Sequence, residues 1–241
     1  MSAQGLNRRA PSPDAALAGD NADPGFVGGL RGLALGGLGR MFRPELGLFA
    51  FRVRPGPNGL VPEGFSQRYT AIALIGLAGE KDEIAAEVLA GQRPQAVCAR
   101  LLRDVASMDS VGDVALTLWA AHAVGADGRP AWNRLRALQP DGASLPTVEL
   151  AWALAALCVA GDGSTSGLRQ RLALRLLSSF HPGSSLFPHR VENGGWHPRA
   201  HVSSFADLVY PILALSHYAQ LSGDVPARGA AARCARVVCR Q

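Results

Sequence analysis

Residues Ser204–Gly223 read SFADLVYPILALSHYAQLSG, and this stretch decides the fold. Ser204 stands where a helix N-cap belongs and Asp207 follows three residues later. The body is apolar, and Gly223 closes it, so the stretch describes a capped and largely buried helix. Three other stretches follow the same plan: SQRYTAIALIGLAG from Ser66, SVGDVALTLWAAHAVG from Ser110 and PTVELAWALAALCVAG from Pro146. Between them lie segments whose charges recur on one side only, such as KDEIAAEVLA, PQAVCARLLRDVA and GLRQRLALRLLSSF. An apolar helix alternating with an amphipathic one predicts an inner and an outer layer.

The inner starts are 44, 36 and 58 residues apart, the period of helical hairpins stacked side by side. The expected fold is all-α: an α/α toroid or partial toroid of four to five helical hairpins joined by short irregular loops. LFAFRVRPGPNGLVPEGFS and SLFPHRVENGGWHP are the exceptions, with room for short extended pieces or a hairpin around Pro55 to Gly59. Residues 1–23 are rich in Pro, Ala, Asp and Asn without periodicity and read as a disordered leader. Residues 24–241 then form a single helical-hairpin domain. The chain ends in CARVVCRQ, mid-helix by pattern, so the ring is expected to be incomplete at that end.

With 48% hydrophobic residues, the 241-residue chain can bury a sizeable core. The formal charge of +5 comes almost wholly from arginine, since Lys81 is the sole lysine. The arginines are scattered. Arg233, Arg236 and Arg240, with Arg228 before them, read as a solvated face on a terminal helix, and no nucleic-acid partner is expected. Cys98, Cys158, Cys234 and Cys239 form no C-x-x-C pair, and the N-terminal residues contain no apolar core of a signal peptide. These features imply free thiols in a cytoplasmic setting, with Cys158 as a small core residue. No run is long and apolar enough for a membrane span. Gly28, Gly32 and Gly36 recur every fourth residue, a stripe suited to close helix packing.

The candidate site gathers at the starts of the inner helices, where Arg68 and Tyr69 head the first and Asp207 and Tyr210 open the last. Asp207 reads first as a helix cap, and Asp113 and Glu149 hold the matching places in their helices. Trp196, His197, Arg199 and His201 lie just before the last helix. Pro198 makes a helical His-x-x-x-His metal pair improbable there, so no metal is expected. In a loop, the imidazoles can carry protons and Arg199 can fork onto carboxylate, phosphate or sugar hydroxyls. His201 or Asp207 is the expected proton carrier. Arg68, Tyr69, Trp196, His197, Arg199 and Tyr210 are the expected binding residues. No particular cofactor is implied.

Hairpin period and the Gly194-Gly195-Trp196 step before an inner helix give residues 60–241 a resemblance to the α/α-toroid proteins. That class includes terpenoid cyclases, protein prenyltransferase β subunits and several carbohydrate-active enzymes. RYTAIALIGL and GWHPRAHVSSFADLVYPI are similar to segments of uncharacterised bacterial toroid proteins. The resemblance implies a small-molecule ligand, isoprenoid or carbohydrate, at the ring mouth. No D-x-D-D cluster supports triterpene cyclisation, and no zinc set supports prenyl transfer. The rival expectation is a non-catalytic helical-repeat scaffold or inactive fragment that binds a protein partner at an open ring edge.

Overall fold

The computed structural model describes residues 24–57, 59–161, 163–192 and 203–240. It divides into two compact units, residues 1–37 and 38–241. α1 (Pro24–Met41), whose residues up to Gly37 belong to the first unit, begins at a proline suited to a helix N-terminus. A Cβ built at Gly28, Gly32 or Gly36 has no atom of the described residues within 4 Å. No second helix within that unit, among the described residues, lies against it. The leader expected over residues 1–23 lies outside the described residues.

The second unit is mostly helical with a small antiparallel sheet. β1 (Phe42–Arg43), β2 (Leu48–Gly56) and β3 (Gly59–Ser66) pair in that order. The β2–β3 hairpin closes where Gly56 faces Gly59, within the region where the sequence allows a hairpin. An all-helical description is therefore incomplete. Phe49, Phe51 and Val53 alternate along β2 as strand residues do, and this pattern extends the hairpin further than a loop. Phe49 and Phe42 pack ring to ring at 4.9 Å, and buried Thr70 accepts from the Phe49 N–H at 2.9 Å. That bond fastens the sheet to the first inner helix.

The inner helices are α2 (Gln67–Leu77), α5 (Val111–Ala123), α7 (Thr147–Ala160) and α9 (Phe205–Ser222). Their N-caps are Ser66, Ser110, Pro146 and Ser204, the four positions expected from the sequence. They pack in the order α2, α5, α7, α9, and α7 is apolar on every side because it lies between two neighbours. Amphipathic helices cover the outside: α4 (Pro94–Asp104) on α2 and α5, α6 (Arg129–Ala137) on α5, α8 (Ser166–Ser178) on α7, and α10 (Val225–Val238) on α9. The short α3 (Asp82–Val88) links the first hairpin. Residues early in α2, α5 and α7 meet one another, and Trp119, late in α5, meets His217, late in α9. The inner helices are therefore parallel and start at one end.

Gly161 and Gly223 end α7 and α9 with φ of 64° and 74°, left-handed conformations that favour glycine. α9 continues through Pro211, although that residue gives the Asp207 carbonyl no donor. A two-residue pair, β4 (Leu145–Pro146) with β5 (Arg190–Val191), pins the loop before α9 to the start of α7. No helix among the described residues is long and apolar enough to cross a membrane.

Cys98, Cys158 and Cys234 are buried free thiols, and Cys239 is exposed. Burial pushes Cys98 and Cys234 up to about 11 and Cys158 up to about 12, from an ordinary 9.0. The unfolded chain sheds these protons first, so their stabilising effect is complete below pH 9 and is lost as pH rises through 11 to 12. The urea midpoint is expected to fall between pH 8.5 and pH 11, and to fall less in Cys158→Ala. Equal pH slopes in the two chains would contradict this account.

Candidate functional site

First-turn side chains of the inner helices form one connected cluster. The guanidinium of Arg68 on α2 donates through Nε to Asp113 at 2.5 Å and through Nη2 to Ser110 at 3.1 Å, both at the start of α5. Nη2 also reaches Glu149 on α7 at 3.4 Å. Burial works against the charge of Arg68, but the hydrogen bond to Asp113 and the charges of Asp113 and Glu149 outweigh it. The guanidinium is held above its ordinary pKa. It also lies 5.3 Å from the Trp152 ring centroid, a cation–π distance.

Glu149 does not cap its own helix. Its Oε2 accepts from the Gly112 backbone N–H at 3.0 Å and from Ser110 Oγ at 3.4 Å, so α7 supplies the anion at the positive end of α5. Asp113 likewise turns to Arg68, although Ser110 still accepts from the Asp113 N–H. The capping explanation of all three acids therefore holds in full only for Asp207. There Ser204 and Asp207 make the reciprocal capping box. Long-range partners outcompete the local ones at the other two positions.

Trp152 stands one turn after Glu149 and meets Tyr210 edge-on at 5.1 Å. Asp207, one turn before Tyr210, is 1% exposed. Its Oδ2 takes the Ser204 N–H at 2.8 Å, the Ser204 hydroxyl at 2.7 Å and Nδ1 of His189 at 2.9 Å. Two buried polar atoms in this region, Asp207 Oδ1 and Trp152 Nε1, have no hydrogen-bond partner among the described residues. The cluster thus runs from Arg68 through Asp113, Glu149, Trp152 and Tyr210 to Asp207 and His189.

Of the residues expected from sequence, Arg68, Asp207 and Tyr210 join this cluster. Tyr69 faces elsewhere: one residue on, it is turned about 100° around the helix and stacks on Phe51 of the hairpin at 5.9 Å. Trp196, His197, Arg199 and His201 lie outside the described residues. Asp113, Glu149, Trp152 and His189 were absent from the expected site. A three-residue spacing on α7 marks Glu149 and Trp152 as one face, but nothing local marks His189, whose partner is 18 residues away. Among the described residues no group of three His, Cys, Asp or Glu side chains could hold a metal ion.

Cavities elsewhere include one of about 200 Å³ between Leu118, His122 and Trp132, at the opposite end of the inner helices. Arg228, Arg233 and Arg236 are exposed along α10 and Arg240 just beyond its end, and Arg233 lies over Phe180. No protein-family model matches the chain, and neither the curated proteins nor the solved structures yield a match.

Gly112 tests how tightly the cluster is built. A Cβ there would lie 2.8 Å from Glu149 Cγ and 3.0 Å from Trp152 Cε3, whereas at Gly76 of α2 it would meet open space. Gly112→Ala is expected to lower stability by about 1–3 kcal/mol through overpacking. Gly76→Ala should raise it by roughly 0.5–1 kcal/mol by helix propensity. Denaturant melts of the two variants check the pair, and equal signs would count against the packing described.

Proposed function

We propose that this chain is a protein of the α/α-toroid class that binds a carbohydrate or similar neutral polyhydroxylated molecule where its inner helices begin. The fold part rests on parallel inner helices backed by outer ones, and on the contact of Trp119 with His217. That contact brings α5 and α9 together beside α7, so the row of inner helices curves. α9 does not pack broadly on α2 among the described residues, which leaves the row open at that edge.

The carrying observation is the chemistry of the connected cluster. It combines the part-exposed carboxylates of Asp113 and Glu149 with an aromatic pair, Trp152 and Tyr210. Carboxylates accept from sugar hydroxyls, and a half-buried tyrosine ring offers a stacking face. An isoprenoid diphosphate would need uncommitted cations, yet Arg68 is already bridged to Asp113 and Glu149. The sugar reading therefore suits these residues better than the isoprenoid one.

One observation favours a scaffold as the second reading. The β2–β3 hairpin on the α2 edge exposes Phe51, Val53 and Leu60 on one face, at 46%, 37% and 61%. Apolar groups exposed together mark protein-binding surfaces. In that reading the hairpin takes a protein partner.

Titration of the full chain with neutral oligosaccharides and, separately, with prenyl diphosphates separates the readings. Oligosaccharide binding is expected, weakened about tenfold in Tyr210→Leu, the scale of one lost aromatic contact. Tighter binding of prenyl diphosphates, or equal binding by the variant, would reject the sugar assignment. Loss of partner capture in Leu60→Asp, with no ligand effect in Tyr210→Leu, would favour the scaffold.

A further inference from the structure

His189 is mounted more firmly than a loop residue ordinarily is. Its carbonyl accepts from the Thr147 N–H at 2.9 Å, and the carbonyl of Pro188 accepts from buried Thr147 Oγ1 at 2.5 Å. Arg190 and Val191 then pair with β4. On the other side, the Ser203 hydroxyl donates to the Phe187 carbonyl. The segment is thereby tied to the first turn of α7 and to the residue before the α9 cap. Asp207 is fixed in its turn by the capping box, so both halves of the His189–Asp207 contact are set by backbone geometry.

The two side chains differ sharply in exposure: Asp207 is 1% exposed and His189 is 32% exposed. Asp207 Oδ2 already accepts from the Ser204 N–H and hydroxyl, so the remaining contact is made by Nδ1–H of His189 donating. A neutral imidazole with its proton on Nδ1 carries a lone pair on Nε2. Among the described residues Nε2 has no hydrogen-bond partner, and with the side chain 32% exposed that lone pair is left to a ligand or to solvent. A buried carboxylate that orients a partly exposed imidazole in this tautomer is the arrangement of a general base with its orienting group.

We propose that His189 is the proton-accepting group of this end of the protein and that Asp207 is its positioning residue. The ligand group it serves is a hydroxyl. The O–H bond breaks with its electron pair left on the ligand oxygen, and the proton passes to Nε2. Asp207 then faces the imidazolium charge. The assignment rests on the reading that a hydroxyl-bearing ligand binds here. It gives the proton step, expected of His201 or Asp207, to a histidine that the spacing of the chain does not single out, and leaves the 1% exposed Asp207 a positioning role.

The test uses the full chain labelled with ¹⁵N-histidine, with diethyl pyrocarbonate as a probe of unprotonated imidazole nitrogens. Long-range ¹H–¹⁵N spectra at pH 8 are expected to show His189 in the Nδ1–H form, and peptide mapping should show it modified faster than exposed His181. In Asp207→Asn the Nε2–H form should appear and the modification rate should drop about tenfold, the scale of one charge-assisted hydrogen bond. A wild-type Nε2–H tautomer, or a His189 no more reactive than His181, would overturn the proposal. So would an unchanged rate in a folded Asp207→Asn. If that variant does not fold, the wild-type tautomer and reactivity still decide. A reactive His189 in a chain that binds no oligosaccharide would overturn the ligand class alone.

Discussion

The carboxylate of Glu149 is the interaction on which the rest of the arrangement depends. From the first turn of α7 it reaches the Gly112 N–H at the start of α5 and the guanidinium of Arg68 on α2. One side chain thus sets three inner helices in axial register. A helix N-terminus leaves backbone N–H groups unsatisfied and carries partial positive charge, so an anion from a neighbour both completes the hydrogen bonds and stabilises the dipole. Arg68 then neutralises Glu149 and Asp113 together. The half-buried setting strengthens the pair relative to a surface ion pair, and losing Arg68 would leave two carboxylates facing each other. Gly112 is the steric counterpart of this contact: only a residue without a Cβ lets Glu149 and Trp152 come so near.

Register at this end has a chemical consequence. Four parallel helices that begin together bring their first-turn side chains to one level, and a polar cluster forms there without any cluster in the sequence. α7 is apolar around its whole body and polar only at Glu149 and Thr147, so its single carboxylate is directed to the mouth of the row. At α9 the capping box uses only Oδ2 of Asp207. The same oxygen orients His189, and the cap and the proposed base therefore share one carboxylate.

Local rules read the fold well and the site in part. The N-caps at Ser66, Ser110, Pro146 and Ser204 were legible because capping and apolar runs are features of a few adjacent residues. The hairpin turn was legible for the same reason, while the full length of β2 and β3 was not, because strand pairing decides it. Asp113 and Glu149 were misread as caps of their own helices, since spacing alone cannot show that Arg68, 45 and 81 residues away, will claim them. His189 was invisible for a related reason. Its role is created by the β4–β5 pair and the α9 cap, which bring it to Asp207 only in the folded chain.

The central claim is that the beginnings of the inner helices form one ligand-binding surface. Amide shift mapping during titration with a neutral oligosaccharide tests it most directly. The account predicts that the shifts concentrate in the first turns of α2, α5, α7 and α9 and at His189, and leave the far ends of those helices still. Shifts centred on Leu118, His122 and Trp132 at the opposite end, or none at saturating ligand, would contradict it.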